Sequence, residues 1–280
     1  MPKVSVVTDS AASLDGETIE RLGIKVLPLT LRVGSESYRE GIDITPEQFL
    51  ARLAQPGTFP MVTAPTVSEF HRVYEALAAT SQTVLSLHAS GRLGPALETA
   101  EKAASSFVGR VKIEVMDSET ISLGQGILVK AAAEAAAAGA DMEEVVRLVR
   151  GMIPHIYSVF VAETLDFLEH HGRIGMAQAI LGTMLQIRPL LTIEDGDLIP
   201  MEKVRSRDKA VEKLYEFIAE FSHIEELVIL QDQSTQDTAS LLERLDLDYP
   251  GREIPIQTYG PSLAVHLGPQ ALGAVIYEGI

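Results

Sequence analysis

Two short acidic pairs stand where this sequence could do chemistry. Asp9-Ser10 follows the apolar run Val4–Thr8, and Asp117-Ser118 follows Lys112–Met116. Each pair ends a strand-like run and precedes a helical pattern. A carboxylate beside a hydroxyl at that point can accept backbone N–H groups from a helix start, or it can face a ligand beyond the strand. The two roles are compatible.

Three loops add small polar groups. Pro60–Thr66 holds the Thr63 hydroxyl between two prolines, which restrain its backbone. His88–Pro95 joins an apolar run to a helix and carries Ser90, Arg92 and Gly94. Tyr259–Pro269 reads as a long loop with two Gly-Pro breaks and one histidine, His266, centred in an apolar stretch. That histidine fits a ligand role and a satisfied core position equally. In Glu169–Ile174, Gly172 ends a short helix and throws Arg173 outward, as a solvated arginine or a partner contact.

Other chemistries lack their residues. The sequence holds no phosphate-binding Gly-x-x-x-x-Gly-Lys-Ser/Thr loop and no Gly-x-Ser-x-Gly elbow. Gly124-x-Gly126 lacks the third glycine of a dinucleotide loop, so close helix packing explains it better. The seven histidines show no His-x-x-x-His spacing, and adjacent His170 and His171 would point about 100° apart on a helix. No metal and no cofactor is expected. With no cysteine, disulfides, thiolate sites and cysteine nucleophiles are excluded.

The elements that must position these residues alternate. Strand patterns over Val4–Thr8, Lys25–Leu31, Thr83–Leu87 and Lys112–Met116 are separated by helical patterns over Ser13–Leu22, Pro46–Leu53, Thr66–Ala79 and Leu93–Phe107. Helices over Ile121–Ala138 and Asp141–Met152 follow. This rhythm predicts an α/β fold with a mostly parallel sheet and its ligand-facing residues at the strands' carboxyl ends. After Pro154 the texture becomes mixed. Strands are expected over Tyr157–Ala162, Leu227–Leu230, Ile254–Thr258 and Ala274–Tyr277, and helices over Thr164–His170, Met176–Gln186, Arg207–Phe221 and Thr235–Leu245. Arg188–Ile193 and Leu198–Lys203 flank Glu194-Asp195-Gly196-Asp197, a hairpin pattern. Two α/β domains are expected, residues 1–153 and 154–280, the second with a mixed sheet.

Charge and composition narrow the partners. Among 280 residues, 39 acidic against 23 basic side chains give a formal net charge of −16. Such a surface repels phosphate backbones, so nucleic-acid binding is not expected. No tryptophan, and only eight Phe and seven Tyr, supply little base-stacking surface. A broad electrostatic membrane anchor is disfavoured on the same charge argument, while transient membrane contact stays open. No run approaches the ~20 apolar residues that span a bilayer. The run Val4–Val7 is too short for a signal peptide, so a cytoplasmic protein is expected.

Taken in order, Val7-Thr8-Asp9-Ser10, Met116-Asp117-Ser118 with Ser122-x-Gly124-x-Gly126, Leu165-x-x-Leu168 before Gly172-Arg173-Ile174, Ile187-Arg188-Pro189-Leu190-Leu191 and His266-x-Gly268-Pro269 form a specific series. On these motifs the chain resembles the DegV family of bacterial fatty-acid-binding proteins, of the FakB type, over essentially its whole length. The resemblance implies two α/β domains holding one long-chain fatty acid in a tunnel between them. It also implies a non-catalytic carrier, which presents the fatty-acid carboxylate to a separate kinase subunit for acyl-phosphate formation in phospholipid synthesis. The family's Thr-Ser-Gln-Pro-Ser loop looks like Val62–Thr66 here, keeping the hydroxyl at Thr63 and losing one at Val62. Its Leu-Ser-Gly-Thr segment looks like Leu93–Ala96, so its carboxylate-binding serine is Gly94 and its threonine Ala96. Ser90, four residues before Gly94, is the candidate replacement. The resemblance further places Arg205 and His266 at the carboxylate end and Arg173 at the kinase-docking surface.

An acyl chain of about 14 methylenes gains roughly 11 kcal/mol on leaving water. Met116, Ile121, Leu123, Met176, Ile180, Met184, Leu185 and Ile187 could line a tunnel or fill an ordinary core. The buried carboxylate then needs donors. Two other readings remain open from the residues. One is an enzyme acting on a small phosphorylated or acylated substrate at the sheet edge through Asp9, Asp117 and His266. The other is a purely structural or regulatory protein that keeps a ligand only for stability.

Overall fold

The structure, a computed structural model, describes residues 4–81, 83–172, 187–232 and 236–280. By its internal contacts the chain divides into two units. The first comprises Met1–Ile44, Met61–Pro154 and Asp195–Asp197; the second comprises Thr45–Pro60, His155–Glu194 and Leu198–Ile280. The division is discontinuous in sequence: the helix α2 (Pro46–Leu53) buries Phe49, Leu50 and Leu53 and counts with the second unit.

The first unit is built on a parallel sheet. Strands β1 (Val4–Asp9), β2 (Lys25–Leu27), β6 (Thr83–His88) and β7 (Lys112–Asp117) lie in the order β2-β1-β6-β7. Val7 pairs with Lys25, Val6 with Leu85, and Leu87 with Met116, each pairing parallel. Nearly every residue of β1 and β6 is buried, as expected of strands covered on both faces. Flanking helices are α1 (Gly16–Leu22), α3 (Val67–Ala78), α4 (Ala96–Ala104), α5 (Leu123–Ala137) and α6 (Met142–Met152). Thr66 and Glu69 cap α3 reciprocally, and its buried face carries Phe70, Tyr74 and Leu77. Gly126 in α5 sits against the backbone at Ala12, where a Cβ would collide with the Ala12 carbonyl. The small residue therefore serves close packing.

One expected strand is two. Lys25–Leu31 breaks at Pro28, which has no N–H to donate to a ladder. Beyond it, β3 (Thr30–Val33) joins β4 (Glu36–Arg39) and β5 (Met61–Thr63) in a separate antiparallel sheet of order β4-β3-β5.

The second unit holds a mixed sheet. Its strands are β8 (Ile156–Val161), β9 (Arg188–Glu194), β10 (Asp197–Val204), β11 (Glu226–Gln231), β12 (Ile256–Thr258) and β13 (Leu272–Tyr277), in the order β10-β9-β8-β13-β11-β12. Pairings β8–β9, β8–β13 and β11–β13 are antiparallel, and β11–β12 is parallel. Asp195 and Gly196 turn the β9–β10 hairpin with φ values of 49° and 76°, the positive pair that a tight hairpin requires. Helices α7 (Asp166–His170), α8 (Arg207–Ala219) and α9 (Gln236–Asp248) accompany the sheet. Val159, Leu214, Ile218, Ile229, Leu241 and Ala274 centre one apolar core.

The segment Tyr259–Pro269, expected as a loop, contains a helix, α10 (Pro261–Leu267). Pro261 occupies its first position with φ preset, Gly260 precedes it, and Gly268 at φ 72° ends it. All seven residues are buried. The segment therefore lacks the polar stripe by which a helix is normally read. The expected helix Met176–Gln186 lies outside the described residues, and no described helix is long and apolar enough to cross a membrane.

Candidate functional site

In the first unit the polar groups gather at the carboxyl ends of the parallel strands. Asp9, last residue of β1, is fully buried. Its Oδ1 accepts from Ala11 N at 3.0 Å, capping the short turn after the strand. Its Oδ2 receives His88 Nδ1 at 2.7 Å, Ala89 N at 3.3 Å and Gln125 Nε2 at 3.4 Å. His88 Nε2 meets Ser86 Oγ at 2.7 Å, and Ser86 Oγ meets Tyr74 OH at 2.7 Å. Asp9 already accepts from two backbone amides, so Nδ1 of His88 is the donor in that pair. The chain closes with Tyr74 donating to Ser86 and Ser86 to Nε2. All four side chains have no exposed surface. Burial, partly offset by the Ser86 hydrogen bond, pushes the Tyr74 phenol well above its usual range.

This relay was not read from the sequence. Ser86 and His88 stand two apart on β6, so they share one face of the strand. That spacing was the available signal. The arrangement has the residue types of a nucleophilic triad. Its hydroxyl, however, donates to His88 Nε2, accepts from Tyr74 and is shut from solvent, so the described geometry ties β1, β6 and α3 together.

Asp117 acts at its own loop. Oδ1 accepts from Glu119 N at 2.7 Å and Oδ2 from Gly91 N at 3.1 Å. Ser118 Oγ donates to Thr120 O at 3.0 Å. Ser90 is buried, donates to Gly196 O at 2.6 Å and accepts from Arg92 N at 3.2 Å. Gly94, four residues on, is half-buried and its amide donates to Ser90 O at 2.8 Å. Thr63, on β5, is exposed, and its hydroxyl reaches Thr30 O at 3.4 Å. Ser90 and Gly94 are thus brought together through one loop, while Thr63 belongs to the separate three-stranded sheet.

In the second unit His266 closes α10 and is 5% exposed. Its ring lies 5.9 Å from that of His171, which lies 5.4 Å from His170, and His170 stacks on Phe59 at 4.3 Å. This row of rings was not anticipated. Arg205 follows β10, is exposed, and its carbonyl accepts from Arg188 Nη1 at 3.4 Å. Nearby, Glu163 binds both Arg188 and Arg207, and Arg207 also binds Asp237. Recesses open among the described residues of this unit. One of about 250 Å³ is lined by Leu53–Phe59, Phe167, Leu267 and Pro269; another of about 380 Å³ is lined by Leu50, Arg207, Asp232, Asp237 and Gln270. Arg173, Met176, Ile180, Met184 and Leu185 lie outside the described residues. Among the described residues no group of three or more histidine, aspartate or glutamate side chains is placed to hold a metal ion.

A family model described as "Uncharacterised protein, DegV family" matches residues 3–279. The chain belongs to the DegV family. A DegV domain-containing protein of Caldanaerobacter subterraneus is 33% identical over 99% of this chain and 100% of its own length. Among solved structures, a DegV family protein from Thermus thermophilus, described for its fatty acid binding, matches with a TM-score of 0.87 at 33% identity over 100% of both chains. DegV from Bacillus subtilis, described as a fatty acid binding protein, matches with a TM-score of 0.87 at 27% identity, again over 100% of both chains. The parallel and mixed sheets described above are therefore those of a DegV fold.

Proposed function

We propose that this DegV protein binds one long-chain fatty acid and carries it through the cytoplasm, presenting the carboxylate to a fatty-acid kinase subunit that forms the acyl phosphate. The observation that carries this reading is the full-length likeness to the fatty-acid-binding Thermus protein. In this reading the chain holds and orients the lipid, and phosphoryl transfer belongs to the partner. Arg205 and His266 are the proposed donors to the carboxylate, with Thr63 a third. On the family resemblance Gly94 marks the position where a serine hydroxyl is lost, and its own amide donates to Ser90 O. Ser90 would serve only by exchanging Gly196 O for the lipid oxygen. Arg173 is the proposed kinase contact.

The competing enzymatic reading needs Asp9 and Asp117 open to a substrate. Asp9 is wholly buried among its four N–H donors, and both oxygens of Asp117 accept backbone amides. That favours a carrier.

Native mass spectrometry of the purified protein, followed by denaturation and identification of the released molecule, tests the proposal. One fatty acid per chain is the expected result. A protein that stays empty after incubation with saturated and unsaturated acids of several lengths would overturn it.

A further inference from the structure

The start of α5 carries polar capacity that the fold does not use. Thr120, Ser122 and Gln125 are 4%, 0% and 0% exposed, yet Thr120 Oγ1, Ser122 Oγ and Gln125 Oε1 make no hydrogen bond. Buried polar atoms are rarely left this way, and three within six residues is a concentration. Their surroundings are otherwise well ordered. Thr120 O accepts from Ser90 N at 2.8 Å and from Ser118 Oγ at 3.0 Å, so the residue's backbone is fixed and only its side chain is unspent.

The orientation of Gln125 is decided by chemistry. One end of its amide faces Thr8 Oγ1 at 3.0 Å and Asp9 Oδ2 at 3.4 Å. The Asp9 oxygen already receives N–H groups, so the NH₂ end must face it and Oε1 must point away. Gln125 is the third residue of the helix, and helical side chains lean back over the N-terminal turn. Ser122, immediately before α5, places no side-chain cap on the helix. It holds φ 60° and ψ −139°, a backbone region that favours glycine. The first amides of the helix thus lack the usual capping oxygen.

These groups choose among ligands. Two hydroxyls can donate or accept, and the glutamine oxygen can only accept. A carboxylate or phosphate would offer no donor to Gln125 Oε1 and would add acceptors close to Asp9. A neutral group that both donates and accepts matches the chemistry of each of these atoms. The site also lies just beyond β7, at the carboxyl end of the parallel sheet, where ligands of such sheets bind.

We propose that Thr120, Ser122 and Gln125 form a buried subsite for a neutral hydroxyl, and that its source is the hydroxyl of a hydroxylated acyl chain. This rests on the fatty-acid reading above and adds a preference to it. A bound water has the same chemistry, and the test separates the two.

Dissociation constants are measured for stearic acid and a panel of monohydroxystearic acids differing in hydroxyl position, with the whole protein. One isomer should bind about tenfold more tightly than stearate, the worth of roughly one hydrogen bond made in place of an unsatisfied group. The Thr120→Val/Ser122→Gly variant should erase that preference and leave stearate binding within about twofold, as a gain lost with one hydrogen bond. Valine keeps the shape of threonine, and glycine suits the positive φ, so folding should be retained. Thr120→Val alone is the second variant if the double one does not fold. It should lower the preference for the same isomer. Equal binding of every isomer and stearate, or a preference that survives in the variant, overturns the proposal and leaves a water site. Failure of stearate itself to bind overturns the fatty-acid reading, and this inference with it.

Discussion

His88 Nδ1 lies 2.7 Å from Asp9 Oδ2, and neither side chain has exposed surface. The pair links the last residue of β1 to the last residue of β6, across the two central strands of the parallel sheet. The loop that carries Ser90 and Gly94 leaves directly from it. Position is thus passed from the core to the loop through one buried contact.

Truncating that pair should be costly. His88→Ala removes a partner from Asp9 and from Ser86 at once, and should destabilise the protein by about 3 kcal/mol, the lower end for breaking a buried pair. Tyr74→Phe removes one neutral hydrogen bond at the far end of the relay and should cost about 1 kcal/mol. Urea unfolding of both variants checks the ranking. Equal losses would mean that the relay does not concentrate its stabilisation at the Asp9 end.

Arg205 and His266 separate stability from retention. Arg205 is exposed after β10, so Arg205→Ala should leave the unfolding midpoint nearly unchanged. His266 is buried in α10, so His266→Ala should lower it. In the carrier reading both should weaken fatty-acid retention by about tenfold, as expected for a lost charge-assisted hydrogen bond to a carboxylate. Lipid occupancy after dialysis against vesicles is the readout. Full occupancy in both variants would remove these residues from the head-group set.

Acid sensitivity should appear at Asp43. The Arg39 side chain, together with the Arg39 backbone N–H, holds the Asp43 carboxyl down to about 2 from an ordinary 3.8. A depressed carboxyl contributes stability that is fully present above its unfolded value. That contribution is lost as pH falls through the folded value. The advantage of wild type over Asp43→Asn should therefore be constant above about pH 5 and shrink steadily between pH 4 and 2. Denaturant midpoints across that range measure it. An advantage that grows on acidification would contradict the assignment.

Legibility in the sequence followed the kind of force involved. The parallel strands were visible because burial on both faces makes them continuous apolar runs, and the β9–β10 hairpin because Asp195-Gly196 is a turn dipeptide with a mechanism. Pro28 breaks the strand after β2, yet the apolar pattern runs on through Leu29 and Leu31, so the two strands look like one. The helix α10 was hidden because it is buried all round and shows no amphipathic stripe. The Asp9–His88–Ser86–Tyr74 relay was partly concealed for another reason. Asp9 reads from the sequence as a cap or ligand, but the other relay members stand 65 to 79 residues from it, and a single sequence does not reveal which side chains meet. Single positions such as Thr63, Ser90 and His266 could be named by type, while the partners that occupy their hydrogen bonds could not.

Gly94 offers a direct test of how head-group binding works in this chain. On the resemblance drawn from the sequence, Gly94 stands at the position of a family serine. The backbone there does not demand glycine, for its φ is not positive. A Cβ added at Gly94 would sit 3.4 Å from the Ala89 Cβ and 3.8 Å from Ser90 O, an ordinary van der Waals distance in each case. Gly94→Ser should therefore fold as stably as wild type, or slightly more so, because it also restricts the unfolded chain. In the carrier reading it adds a hydroxyl beside the carboxylate. Fatty-acid affinity should then rise about fivefold, as one neutral hydrogen bond of ~1 kcal/mol predicts. Isothermal titration with one saturated acid measures the change. A stable Gly94→Ser protein with unchanged affinity would show that the carboxylate does not approach this loop, and the donors would have to be sought at Thr63, Arg205 and His266.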